Sequence, residues 1–411
     1  MLCGAFCYNG GMRPIYLIVS PYYPTPHSWR GSYCHDFARA VAADGRYEVR
    51  VFVPGEGPDY VRDGIEVSRF PFWLLPSASL PFLFERHNGA LFLKKLRTVG
   101  IDPMRVAVCH AHTPFFAVCA LALKRLNPNC RALLHHHSPD SFGLYIGLLN
   151  RHSVLHRRLC YAWLSRLHSG MDLHVCVSRA VARCLRAVPR TAWPTAWEPY
   201  EAQFRGLEDL PPPRLRAVAV LYNGVDTDRF SPSVLRRRPL KHPRIGCVAN
   251  FAPLKRQLMV LKALERCGSE LGDWTLRFIG DGPEMAACGA FVKRHGWQHR
   301  VSFEAPRDPE DIPAFFREID LFVLPSVFEA FGCVFAEAWA AHVPFICCDT
   351  AGVAELIPEG CGDMRLMTVP PDDLTALASR MIYFCKTAPS FLPPPPLFPL
   401  VTAFLNRLAR L

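Results

Sequence analysis

Two glutamates eight positions apart, Glu329 and Glu337, flank Gly332 in the stretch VFEAFGCVFAEAWAAHVPF. Glu329 falls in a loop after an apolar strand, Gly332 opens a helix, and Glu337 lies inside that helix. Glycine at a helix N-terminus lets backbone N–H groups approach a phosphate, and the helix dipole favours the negative charge. Ionised carboxylates only accept hydrogen bonds, so the two acids suit the hydroxyls of a sugar. Acids beside a diphosphate repel it unless cations lie opposite. Lys255 and Arg256, just past another strand in VANFAPLKRQ, supply such cations. The competing reading is a solvated Lys-Arg helix face and two unrelated surface acids, and spacing alone leaves both open.

Histidines crowd two strand ends, His110 and His112 in VCHAHTP and His135 to His137 in LLHHHSP. Imidazole is a common zinc ligand, but neighbours on a strand point to opposite faces, so the run of three does not converge on one ion by itself. Structural histidines are the alternative. Asp226 and Asp228 form an Asp-x-Asp that reads as a turn in NGVDTD. The pair Gly280 and Gly282 is too short for a dinucleotide fingerprint.

The elements that must place these residues alternate. Buried runs IYLIVS, YEVRVFVP, RVAVCHAH, RALLHHH, LHVCVS and RAVAVLY are separated by helical windows such as 31–43 and 115–126. After the basic, proline-bearing SPSVLRRRPLKHP the alternation restarts with RIGCVAN, WTLRFIG, RVSFEA, DLFVLPS and PFICCD. Strand–helix alternation of this kind predicts an α/β protein with two doubly wound parallel sheets. In such sheets ligands bind beyond the carboxyl ends of the strands, where Lys255, Glu329 and the histidines fall. The segment 189–213, rich in Pro and Trp, reads as an irregular insertion, and FLPPPPLFP as extended chain.

Taken in order, EAFGCVFAE, PFICCDTAGVAE with Glu355, VLYNGVDTDRF, LRFIGDGPE and DLHVCVSRAV make the chain resemble the retaining glycosyltransferases of the GT-B fold, family 4, over roughly 16–385. The resemblance implies two Rossmann-like domains facing across a cleft. These are an acceptor-side domain over 1–230, a linker over 231–243, a nucleotide-sugar-binding domain over 244–388, and a Pro-rich tail with a terminal helix over 389–411. It implies a hexosyltransferase-type enzyme that moves a sugar from a nucleotide diphosphate sugar to an acceptor hydroxyl with retention, in glycan or glycolipid biosynthesis. By that likeness Glu337 binds the ribose, and Glu329 contacts the transferred sugar. Lys255 and Arg256 hold the diphosphate, and the backbone of Phe331, Gly332 and Cys333 faces sugar and phosphate. Gly31 stands at the family's glycine turn, and His136 at its cleft histidine. No cofactor and no metal are expected. Asn250 stands where the family usually has Arg, and Gly31 is the single glycine left in its turn. These departures, with a short C-terminal end, favour the alternative of a catalytically silent nucleotide-sugar-binding protein; a nucleotide-sugar epimerase is a third reading.

Composition bounds the rest. The chain has 411 residues, 50% hydrophobic and 20% charged, which excludes a disordered scaffold and leaves room for two or three folded units. A net charge of +11 favours anionic partners such as nucleotide diphosphates, anionic lipid surfaces or nucleic acid. Nucleic acid is not expected, since no recognised binding module accompanies the charge. Seventeen scattered cysteines without a C-x-x-C read as reduced, buried thiols of a cytosolic protein. No signal peptide and no spanning helix are expected. The stretch 70–97 mixes aromatics with Lys94, Lys95 and Arg97. It reads either as a peripheral contact with the inner face of a membrane or as an ordinary core helix with a solvated basic edge.

Overall fold

The computed structural model describes residues 12–25, 28, 30–75, 80–138, 154–189, 204–230, 239–357, 365–387 and 397–410. Contacts divide the chain into two compact units, Met1–Tyr222 with Phe398–Leu411, and Asn223–Leu397.

The first unit is built on an eight-stranded sheet in the order β3-β4-β2-β1-β5-β6-β7-β8. Its strands are β1 (Ile15–Val19), β2 (Glu48–Pro54), β3 (Tyr60–Arg62), β4 (Ile65–Phe70), β5 (Val106–Ala111), β6 (Arg131–His136), β7 (Leu173–Cys176) and β8 (Val218–Val220). All run parallel except β3, which pairs antiparallel with β4. Every residue of β1 is buried, as expected of a central parallel strand covered on both faces. Helix α1 (Ser32–Ala43) buries Cys34, Phe37, Ala38 and Val41, the i, i+3, i+4, i+7 stripe of an amphipathic helix. The unit continues with α2 (Glu85–Thr98), α3 (Ala117–Leu126), α4 (Val154–Gly170) and α5 (Arg179–Ala187).

The β3–β4 hairpin is absent from the sequence reading, although its signal is present. Asp63-Gly64, both at positive φ, forms the two-residue turn that matches strand twist.

The second unit is a six-stranded parallel sheet in the order β11-β10-β9-β12-β13-β14. Its strands are β9 (Arg244–Val248), β10 (Thr275–Ile279), β11 (Val301–Glu304), β12 (Leu321–Val323), β13 (Phe345–Cys348) and β14 (Thr368–Val369). Its helices are α6 (Gln257–Leu271), α7 (Met285–Arg294), α8 (Ile312–Glu318), α9 (Cys333–Ala340) and α10 (Leu374–Lys386). Strand and helix alternate as the sequence predicts.

The stretch 223–230, read as the end of the first domain, packs with the second unit. Arg229 donates to the Pro309 carbonyl, and Phe230 lies edge-on to Phe316 at 6.1 Å. The expected linker is itself tied down at its far end, where Leu240 N–H donates to the Cys385 carbonyl at 2.9 Å; 231–238 lies outside the described residues. The last helix, α11 (Leu397–Leu408), belongs to the first unit, where Phe404 meets Phe37 and His110, each at 6.5 Å. Among the described residues fourteen cysteines are free, and all but Cys333 are buried. No described helix is long and apolar enough to cross a membrane.

One glycine sets how closely α8 approaches the second sheet. A Cβ on Gly246 in β9 would stand 2.5 Å from the Phe315 ring and 2.8 Å from Ile319 Cδ1. Overpacking of this kind costs about 1–3 kcal/mol. Gly246→Ala should therefore lower the unfolding free energy of the second unit by that amount, and with it the urea midpoint followed by circular dichroism. An unchanged midpoint would show that α8 slides freely.

Candidate active site

In the second unit the chain winds outward through β9, β10 and β11, then returns to the other side of β9 for β12, β13 and β14. The loops leaving β9 and β12 therefore diverge from neighbouring strands, which is the switch point where parallel sheets open a crevice. Lys255 ends the first loop and Glu329 lies in the second, and the two side chains form an ion pair. Ser326 Oγ donates to the same Glu329 Oε1 at 2.8 Å. Both pair members are largely buried, with Lys255 at 21% and Glu329 at 14% side-chain exposure, so solvent screens the attraction only in part. The sequence reading places both residues at the site without foreseeing that they satisfy each other.

Backbone contacts fix this meeting. Val327 N–H donates to the Leu254 carbonyl at 2.9 Å, joining the two loops directly. Gln257, buried at the start of α6, donates to the Asn250 carbonyl at 2.9 Å and so holds the first loop. On the other side, Gly352 N–H donates to Glu329 O at 3.0 Å and Val353 N–H to Phe331 O at 2.8 Å. A Cβ on Gly352 would stand 2.2 Å from Ala330 O, so this contact admits only glycine. Gly280 and Gly282, both at positive φ, lie against the Ala249 and Phe251 carbonyls, where added Cβ atoms would stand 2.1 and 2.6 Å away. Their role is to let the β10 loop support the Lys255 loop.

Gly332 is the N-cap of α9 at φ 86° and has no side chain to cap the helix. Phe331 is buried, while Gly332, Cys333 and Glu337 are half-buried. Asn223 Nδ2 reaches Cys333 Sγ at 3.6 Å, which brings the NGVDTD element to this helix end. Asp226 accepts from the Asp228 backbone N–H at 3.2 Å, the turn expected of the Asp-x-Asp. Asn250 is exposed. Arg256, in the left-handed region at φ 52°, pairs with Asp372.

The first unit has its own switch point, between β1 and β5. Gly31, φ 90°, caps α1 after the β1 loop, and a Cβ there would stand 2.5 Å from Tyr22 O. A pocket of about 430 Å³ opens at these strand ends, lined among others by Tyr22, Phe72, Phe116, His112, His136 and His137. His136 points to one face of β6, where its Nε2 meets His174 Nδ1 at 3.0 Å and His174 Nε2 meets the His168 carbonyl at 3.0 Å.

His135 and His137 point to the opposite face, toward His110 and His112 at the end of β5. The run of three thus divides between faces as expected, yet two of its members meet the β5 histidines. Two overlapping groups, His110 with His112 and His135, and Cys34 with His112 and His137, each bring their ligand atoms within 4.8 Å of one another. Burial pushes His110 and His137 down to about 3 and drives His112, His135 and His136 well below the usual histidine value, so all five rings are neutral.

Along 70–97 the inner face of α2 is core, with Phe92 and Leu96 fully buried. Lys95 pairs with Asp59 at 2.7 Å. The exposed apolar side chains precede the helix: Trp73, Leu74 and Leu83. Buried Asn88 bonds the Trp73 backbone at both N and O, fixing that aromatic in place.

Residues 31–196 match the Glycosyltransferase Family 4 profile and residues 242–387 the Glycosyl transferases group 1 profile. Among curated relatives, the GDP-mannose-dependent alpha-(1-6)-phosphatidylinositol monomannoside mannosyltransferase of Mycolicibacterium smegmatis is 27% identical over 211 residues, 48% of this chain and 49% of that protein. The lipopolysaccharide core mannosyltransferase LpsB of Rhizobium meliloti is 28% identical over 183 residues, 41% of this chain and 51% of that protein. The alignments thus span about half the length of these relatives. Among solved structures, sucrose-phosphate synthase of Thermosynechococcus elongatus superposes with a TM-score of 0.65 at 17% identity, covering 97% of this chain and 98% of that one. HepE of Anabaena, in complex with UDP and glucose, superposes with a TM-score of 0.61 at 18% identity, covering 97% and 100%.

The His136–His174 contact carries a pH signature. Burial, with His168 nearby, pushes His174 from 6.5 down to about 3. Between those values the unfolded chain holds a proton that the folded chain does not, so this group's stabilisation is complete above pH 6.5 and is lost as pH falls toward 3. His174→Gln should reduce the slope of unfolding free energy against pH by about one proton across that window, measured by urea titrations at several pH values. An identical slope would show that His174 is charged in the folded state.

Proposed function

The chain belongs to glycosyltransferase family 4 and has the GT-B fold, and from that premise we propose that it is an enzyme transferring a hexosyl unit from a nucleotide diphosphate sugar to an acceptor hydroxyl, with retention at the anomeric carbon. The observation that carries this reading is the Lys255–Glu329 pair beside the uncapped α9 N-terminus, at the switch point of the second sheet.

The pair is neutral as it stands. An arriving diphosphate competes with Glu329 for the Lys255 ammonium, and the exchange frees Glu329 to accept hydrogen bonds from hydroxyls of the transferred sugar. Lys255, Arg256 and the α9 backbone at Gly332 and Cys333 then stabilise charge growing on the departing diphosphate, in the role a divalent cation plays elsewhere. The bond from the anomeric carbon to the diphosphate oxygen breaks, the acceptor oxygen bonds to the same face, and the acceptor proton leaves with the diphosphate. Glu337 holds the ribose hydroxyls. The first-unit pocket, with aromatic walls and neutral imidazoles at His112, His136 and His137, has the character of a sugar or acceptor subsite.

The acceptor is proposed to be a glycan or a lipid-linked glycan, in keeping with what the M. smegmatis and R. meliloti relatives are named for. Exposed Trp73, Leu74 and Leu83, with exposed Lys94 and Arg97 on the same stretch of chain, suit a peripheral contact with an anionic leaflet. A silent donor-binding protein is the second reading, favoured by Asn250 and by the pairing of Lys255 with Glu329. Turnover that appears only in Asn250→Arg would establish it.

A panel of UDP-, GDP- and ADP-sugars without added Mg²⁺ or Mn²⁺ tests the transferase reading. One nucleotide should raise Tm and be released from its sugar. Lys255→Ala should lower kcat/KM by about 100-fold or more, the scale for losing one donor to a developing anion. Glu329→Gln should retain nucleotide diphosphate affinity and lose turnover. Glu337→Ala should weaken nucleotide binding about 10- to 100-fold, as expected for losing charge-assisted bonds to the ribose; unchanged donor affinity would refute that role. The membrane contact is read by sedimentation with phosphatidylserine vesicles, which Trp73→Ser should reduce severalfold and added salt should weaken further.

A further inference from the structure

On one face of the first sheet, the hydrogen bonding of a histidine cluster does not close. His110 and His112 sit two positions apart at the end of β5, and His135 meets them from β6. His110 and His135 stack at 5.1 Å, with rings 2° from parallel, and His112 and His135 lie 4.9 Å apart. Tyr16 OH stands 2.8 Å from His110 Nδ1. His112 Nδ1 stands 2.9 Å from His137 Nε2 and 3.1 Å from Cys34 Sγ. Four nitrogens are left buried without a hydrogen-bond partner: His110 Nε2, His112 Nε2 and both ring nitrogens of His135.

One tautomer of each ring suits a metal ion. With Nδ1–H of His110 donating to Tyr16 and Nδ1–H of His112 donating to His137, each Nε2 presents a bare lone pair. Each ring is therefore a neutral imidazole held on one nitrogen and open on the other, the arrangement in which an outer hydrogen bond orients a metal ligand. Oxygen ligands, the requirement of magnesium and calcium, are missing from both histidine groups. Three imidazoles with an open fourth position are a donor set that zinc accepts.

We propose that His110 Nε2, His112 Nε2 and one ring nitrogen of His135 bind a late first-row divalent cation, zinc in the first instance, with the fourth position open to the first-unit pocket. Two of the ligands, His112 and His135, line that pocket, so water or an anion reaches the ion from there. One ring nitrogen from each of the three histidines already lies within 4.8 Å of the others. A zinc–nitrogen distance of about 2.0–2.1 Å sets tetrahedral ligands about 3.4 Å apart, which small side-chain rotations supply. In the overlapping group, Cys34 and His137 both stand at His112 Nδ1, so those residues orient the site. Burial keeps the Cys34 thiol neutral, pushed up to about 12. The inference concerns the first unit alone and is independent of the transferase reading.

The test uses the full chain, stripped with EDTA under reducing conditions and titrated with Zn²⁺ against a chromophoric chelator, with Co²⁺ as a spectroscopic probe. Wild type should bind a single equivalent, gain Tm, and give the intense visible band of tetrahedral cobalt. His135→Phe preserves ring shape and removes both unpaired nitrogens, so its metal-free Tm should equal or exceed that of wild type. Changes to outer hydrogen bonds alone cost about 10- to 100-fold in affinity, so loss of this ligand should cost at least about 100-fold and abolish the cobalt band. His112→Gln should show the same loss, and exposed His87→Ala should bind as wild type does. Wild type taking up no more zinc than His135→Phe, or His135→Phe binding with unchanged affinity, overturns the proposal.

Discussion

The reversal of strand order at the middle of each sheet is the constraint on which the rest depends. A parallel strand is left by a loop at its carboxyl end, and consecutive loops pass to the same side of the sheet while the winding continues in one direction. Where the winding reverses, two adjacent strands send their loops apart and no helix covers the gap. In the second unit these are β9 and β12, whose loops carry Lys255 and Glu329, residues 74 apart in sequence and joined by an ion pair. In the first they are β1 and β5, whose loops carry the Gly31 turn and His112, with Cys34 at 3.1 Å from His112 Nδ1. The site residues are scattered along the chain because topology, not sequence proximity, brings them together.

Close backbone approach then converts proximity into position. Gly280, Gly282 and Gly352 each lie where a side chain would collide with a neighbouring carbonyl, and each props one of the loops that bear the candidate residues. Such glycines hold no ligand themselves. Their contribution is that the Lys255 loop rests directly on the β10 loop, and the Glu329 loop on the turn at Gly352. Replacement by alanine would move charged groups by a fraction of an ångström or more, which is the scale on which catalytic geometry fails.

Much of this was legible in the chain itself. The strand–helix alternation reads out because buried parallel strands are continuous apolar runs, as in β1 and β13. Gly332 and Glu337 fall on α9 as the spacing requires. The β3–β4 hairpin was missed because β3 has only three residues and lies at the sheet edge, where apolar periodicity is weak, although Asp63-Gly64 marks the turn. The Lys255–Glu329 pair, the Arg256–Asp372 pair and the packing of 223–230 onto the second unit depend on three-dimensional neighbours, so no local pattern encodes them.

The run His135 to His137 shows the same limit in a single tripeptide. Strand geometry correctly divides it, sending His136 to one face and its neighbours to the other. On the first face all but His136 Nδ1 find a partner, since His136 Nε2 meets His174, and His174 ends on a main-chain carbonyl. On the second face the partners are other imidazoles, and neutral imidazoles cannot satisfy one another completely, since each brings one donor and one acceptor in fixed directions. Four nitrogens remain over, and the surplus arises only because β5 brings His110 and His112 alongside. Whether a histidine is structural or ligating is therefore decided by the balance of donors and acceptors around it, and that balance differs between adjacent residues of one strand.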